Sequence, residues 1–234
     1  MALTPTVDVF YAFDPANSHS ALPSGFPQSA TDTATATACS TNIINKLNGY
    51  YNSHANVSFS LGNSYLLTSF ASGLDHPFDP TTGIMNFNPN NFLTLGAGDI
   101  VFAGQAVDRT SKHIRLFIVK GINATNGQPY LAASTPRQNL NSIPLSFVPA
   151  LTDLNEFYIV CGHEIGRDLD LSSVDTKDTY QFDYGPWPIE FKDDGDSRAN
   201  QEALMSNNTG PQTPWIRHEH SQEANGYANS SVYH

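Results

Sequence analysis

The stretch from Phe92 to Val119 constrains this chain most. It sets two short apolar runs, rich in β-branched and aromatic residues, on either side of a polar connection. That is the pattern of paired strands in a packed sheet, and it predicts an all-β fold. Further extended runs agree with it. Val7-Asp-Val-Phe-Tyr-Ala-Phe-Asp14 reads as a first strand ended by Pro15, and Val57-Ser-Phe-Ser-Leu61 turns at Gly62-Asn63 into Tyr65–Phe70 as a hairpin. Glu156-Phe-Tyr-Ile-Val-Cys-Gly-His163 reads as a buried strand and Thr179–Tyr184 as an alternating one, with an edge strand near Ile84–Phe87. Residues 15–41, rich in Pro, Ser, Ala and Thr, read as an exposed loop or weak helix. Pro129, Pro136, Pro144 and Pro149 argue against a central strand between Gly121 and Pro149.

The expected architecture is one antiparallel β-sandwich over residues 1–191, followed by a polar extension over 192–234. That extension holds few apolar anchors, namely Leu204, Met205, Trp215, Ile216 and Tyr227. It cannot repay its ordering entropy from a core of its own, so contacts between copies of the chain are its expected use.

Hydrophobic residues make up 39% of the chain, enough for a real core, whereas only 14% are charged. The surface is therefore mostly neutral and polar, and poor in the lysines that keep sheet edges apart. The net charge of −11 lies almost wholly beyond residue 150, where fifteen acidic residues face five basic ones; residues 1–150 carry seven against six. Without clustered Lys and Arg, neither nucleic acid nor an anionic membrane is an expected partner. The start Met1-Ala-Leu-Thr-Pro-Thr-Val-Asp8 lacks a cationic, apolar leader, so a cytoplasmic location is expected. Cys39 and Cys161 are expected as two free thiols, and the sequons at Asn56, Asn123, Asn207 and Asn229 carry no weight in so Asn-rich a chain.

Several residue groups suggest chemistry. Cys161-Gly-His163 with His113 is similar to the ligand pattern of cupredoxins, but the two closing ligands are too close in sequence and no Met follows. His163-Glu-Ile-Gly-Arg167 would be a zinc-peptidase core if position 167 were His; Arg cannot ligate zinc, and Gly166 weakens the helix the motif needs. Glu156, Glu164 and Asp168 are carboxylates without a readable separation, so a glycosidase pair does not follow. Asp193, Asp194 and Asp196 form the densest part of an acidic series. They offer oxygen ligands for calcium, but the plainer reading is a solvated acidic surface, and no cofactor is expected beyond that calcium alternative. His218-Glu-His220 is a pair of the adventitious kind. Trp187 and Trp215, each beside proline, are either loop anchors or plates for a sugar ring or a neighbouring subunit, and Tyr227 joins them as a binding residue.

The order Val7-Asp-Val-Phe, Tyr65-Leu-Leu-Thr-Ser69, Leu95-Gly-Ala-Gly-Asp-Ile-Val-Phe102 and Tyr180-Gln-Phe-Asp-Tyr-Gly-Pro-Trp-Pro188 resembles the bacterial inclusion-body protein family of the PixA and AidA type. The resemblance covers scattered positions over residues 7–191 and brings no catalytic residues with it. It implies a cytoplasmic, non-enzymatic protein that accumulates in inclusions. The expected function is accordingly a self-assembling structural protein, a homo-oligomer or lattice. A lectin-like carbohydrate-binding module using Trp187 or Trp215, with calcium at Asp193–Asp196, is the alternative, and a copper protein or an enzyme ranks lower.

Overall fold

Three runs are buried over nearly every residue, which alternation alone does not demand. They are β1 (Thr6–Ala12), β6 (Ile114–Val119) and β10 (Leu145–Pro149). Strands covered on both faces are the mark of a parallel sheet. In the computed structural model, which describes residues 4–12, 22–29, 31–67, 84–87, 101–102, 105–106, 112–124, 127, 129–130, 132–134 and 145–169, these three and β2 (Ser60–Leu67) lie in the order β2-β1-β6-β10. All pairs within this set are parallel, and β9 (Ala133–Ser134) closes one side antiparallel to β10. Smaller sheets hold β3 (Met85–Phe87), β7 (Ile122–Ala124) and β8 (Pro129–Tyr130), and pair β4 (Val101–Phe102) with β5 (Gln105–Ala106).

Two helices complete the core. α1 (Thr33–Ala55) starts at Asp32, whose carboxylate accepts from the Thr35 amide, and ends at Asn56 in the left-handed conformation with φ 52°. Its buried residues Ala36, Cys39, Ile43, Leu47, Tyr50 and Tyr51 recur every three to four positions and form one stripe against the sheet. α2 (Leu154–Asp168) is capped by Asp153, which accepts from the amides of Asn155 and Glu156. Val7, Val9, Tyr11, Ile114, Leu116, Ile118 and Val148 pack with both helices on one face of the sheet. Phe10, Phe117, Phe147, Leu145 and Val119 point to the other face, beneath Met85 and Ile122.

The fold is thus a Rossmann-like parallel α/β core, and the antiparallel all-β sandwich is incorrect. The error has two sources. Short apolar runs bounded by turn residues look alike whether their neighbours are parallel or antiparallel, because pairing direction is set by connections that sequence does not reveal. Glu156–His163, read as a strand from its β-branched and aromatic content, lies within α2, where capping by Asp153 and burial of Phe157, Cys161 and Ile165 outweigh propensity.

Two smaller corrections follow the same logic. The Gly62-Asn63 hairpin turn is a bulge inside the single strand β2, where the register with β1 slips between Val7 and Val9. β10 is an interior strand after all; its five residues fit between Pro144 and a closing Pro149. The first strand and the edge strand near 84–87 are as expected, β3 lying at one side of its sheet. The Thr179–Tyr184 run and the boundary at 191/192 lie outside the described residues.

Candidate functional site

α2 follows β10 after four residues and runs back along it, so that Ser146 near the start of β10 meets Asp168 at the end of α2. The Ser146 hydroxyl donates to the Asp168 carboxylate, with Oγ 2.9 and 3.0 Å from its two oxygens, and both residues are fully buried. From α1, the Tyr51 hydroxyl donates to the Gly162 carbonyl at 2.8 Å. Burial first, then the negative charges of Asp168 and Glu164, push the Tyr51 hydroxyl well above its ordinary pKa, so it stays a donor. These bonds fix the last two turns of α2 from both sides.

The helix therefore exists at 163–167 despite Gly166, and it brings His163 and Arg167 together one turn apart. Arg167 Nε lies 3.2 Å from His163 Nε2 and donates to it. The same nitrogen lies 3.9 Å from Glu164 Oε1, and the Glu164 side chain is only 6% exposed. Arginine is always protonated and has no lone pair to give, so His163 must accept through Nε2 and carry its own proton on Nδ1. Two imidazoles at this spacing would hold zinc. One imidazole whose facing nitrogen is taken by a guanidinium does not fit it.

A second polar cluster lies on the other face of the sheet. Asp8 Oδ2 is 2.9 Å from His113 Nδ1, and Asp8 Oδ1 accepts from the Asn63 amide at 2.8 Å in the β2 bulge. Gly62 is required there, since a Cβ would stand 2.2 Å from Asp8 Oδ1. Asp8 sits in register with the buried Arg115 of β6. A carboxylate holding an imidazole is half of a general-base arrangement. Here it stands at the amino ends of the parallel strands, whereas open α/β sheets bind ligands beyond the carboxyl ends, and its evident work is to pin the bulge.

Twenty residues separate Ala12 from α1, and Gly25 is the only glycine among them. The amino-acid sequence of this segment does not carry the glycine-rich pattern that seats a pyrophosphate on a helix terminus.

The copper grouping is not assembled. Cys161 is buried in the helix-side core while His113 is bonded to Asp8 across the sheet. Both cysteines are free thiols, and burial raises their pKa values, that of Cys161 well above the ordinary range. Of the three carboxylates, Glu156 lies in the first turn of α2 and Glu164 and Asp168 are buried near its end. Trp187, Trp215, Tyr227, Asp193, Asp194, Asp196, His218 and His220 lie outside the described residues. Among the described residues no group of three or more His, Cys, Asp or Glu could hold a metal ion, and no helix is long and apolar enough to cross a membrane. The His163–Arg167 contact needs a helix, and a cue for that helix was present: Asp153-Leu-Asn-Glu156 has the spacing of an amino-terminal capping box.

No protein-family model matches this sequence, and no curated protein matches it.

Proposed function

We propose that this is a non-enzymatic, self-assembling α/β protein whose second helix carries a His163–Arg167 contact in place of the two imidazoles a zinc site needs. The single observation that supports this reading is the 3.2 Å bond from Arg167 to His163, which puts a fixed cation where the second imidazole of a zinc pair belongs. Hydrolysis at such a helix needs a Lewis acid to generate the nucleophile, and a guanidinium cannot accept a lone pair from water. The role proposed is structural, with residues 192–234 joining copies of the chain through Trp215 and Tyr227.

The test is peptide hydrolysis by the purified full-length chain on denatured casein and a mixed peptide library, with and without added zinc. The expected result is no turnover in either condition. Chelator-sensitive hydrolysis that zinc restores would overturn the reading.

A further inference from the structure

The parallel sheet is finished differently at its two sides. Beyond β10 it is closed by the two-residue β9, set antiparallel. At the other side lies β2, eight residues long, with β1 as its neighbour and, among the described residues, no strand beyond it. An outermost strand is a template for pairing with another chain, and proteins that must stay apart guard it with charge or proline. Ser60-Leu-Gly-Asn-Ser-Tyr-Leu-Leu67 has neither. It does carry the bulge at Gly62-Asn63, held by Asp8, so the regular run left for pairing is 64–67.

Burial agrees with this reading. β1, β6 and β10 are buried almost throughout, whereas Leu61, Tyr65 and Leu66 of β2 are only partly buried, although each packs on a core cluster. Tyr65 stacks on Phe10, which stacks in turn on Phe117, and the strand order makes Tyr65 the outermost ring of that row. An uncharged strand also suits a second copy of itself. Residues 1–150 carry seven acidic against six basic residues, so two such edges meet with little of the repulsion that the charge beyond residue 150 would bring.

We infer that β2 is an interface with a second copy of this chain: two β2 strands pair antiparallel across a twofold axis through residues 64–67 and join two sheets edge to edge. A twofold axis normal to the sheet reverses the strand direction but keeps each face on its own side, so the two Tyr65 rings continue one row. The inference rests on the self-assembling reading above and adds a contact distinct from the one through Trp215 and Tyr227. A twofold contact alone closes at a dimer; a second contact is what extends dimers into a lattice.

The experiment follows the full chain over a concentration series, by sedimentation velocity and by hydrogen exchange in peptides spanning residues 60–67. In the wild type, exchange there is expected to slow as concentration and mass rise together. Tyr65→Lys keeps an aliphatic stem over Phe10 and sets an ammonium at the edge. It is expected to keep the far-UV circular dichroism spectrum, to lose the concentration dependence of exchange and to raise the dissociation constant of the pair at least tenfold. Asn45→Lys, the same charge change at an exposed position of α1, is expected to behave as the wild type does.

Wild-type exchange at 60–67 that is the same at every concentration, in a chain whose mass still rises, would overturn the β2 pairing and leave assembly through residues 192–234 standing. A folded Tyr65→Lys chain that pairs as tightly as the wild type would overturn it too. Should Tyr65→Lys fail to fold, the wild-type exchange series decides alone. A wild type that stays monomeric throughout would instead sink the self-assembling reading, and the pairing with it.

Discussion

The two faces of the parallel sheet are stabilised by different means. On the face away from the helices, Tyr65, Phe10, Phe117 and Phe147 occupy the same level of β2, β1, β6 and β10, one per strand, because the register pairs them in turn. Their rings stack with centroids 4.6, 4.6 and 4.9 Å apart and interplanar angles of 15 to 22°. The helix face holds polar links within its apolar packing. Tyr11 Oη lies 3.0 Å from Ser40 Oγ, Ser64 donates to Ser40 at 2.7 Å, Tyr51 donates to Gly162, and Ser146 donates to Asp168. The stacked face relies mostly on apolar burial, with the Asp8–His113–Asn63 cluster at the amino ends of the strands as its polar part. The bonded face fixes where each helix sits, and it is the face that bears His163 and Arg167.

Removing one ring should therefore have the largest effect. Phe117→Ala, in the middle of the ladder, is expected to cost about 3 to 5 kcal/mol, measured by urea unfolding. A cost below about 1 kcal/mol would contradict the full burial of this ring.

On the bonded face, Ser146→Ala withdraws the hydroxyl from the buried Asp168 carboxylate and is expected to cost about 1 to 3 kcal/mol. It should also loosen the end of α2, which hydrogen exchange across residues 160–168 would register. Unchanged exchange there would sever the link between the Ser146 bond and the placement of the site.

Alkali should act on both faces, with more of the raised groups on the helix face. Tyr50 is pushed up to about 12 from an ordinary value of 10, chiefly by burial. Tyr11 and Tyr51 move in the same direction, and so do Cys39 and Cys161 from an ordinary value of 9. A group whose folded pKa is raised contributes stability that is complete below its unfolded value and is lost as pH climbs through the folded one. The thiol contribution should begin to fail above pH 9, and that of Tyr50 between pH 10 and 12. These groups belong to the helix-face core, while Tyr65 on the stacked face is raised too, by burial and then by the Asp8 carboxylate. Phe117→Ala should leave the shape of this alkaline decline unchanged, in a pH series of unfolding midpoints. A decline that starts near neutrality would contradict the burial of these groups.

The smallest effect on the core is expected from deleting residues 192–234, which are polar with few apolar anchors. The truncated chain is expected to keep its circular dichroism spectrum and melting temperature while scattering as a smaller particle. An unchanged particle size would remove the self-assembly role given to Trp215 and Tyr227, and an unfolded product would place the segment within the domain's own packing.

The amino-acid sequence by itself determined where several strands lie, as at Val7–Ala12 and Ile114–Val119, because short apolar runs ended by proline or polar turns are a local property. It also determined that residue 167 cannot ligate zinc, since that follows from the chemistry of arginine alone. Only the tertiary structure decided that the strands run parallel, that Glu156–His163 is helical, and that the aromatic residues of four separate strands share one level. Each of these depends on partners distant in sequence: α1 between β1 and β2, the Ser146–Asp168 bond that seats α2, and the register of β1 with both neighbours. The meeting of His163 and Arg167 belongs with them, because two residues four apart touch only when the backbone between them coils, and the packing of α2 on the sheet makes it coil.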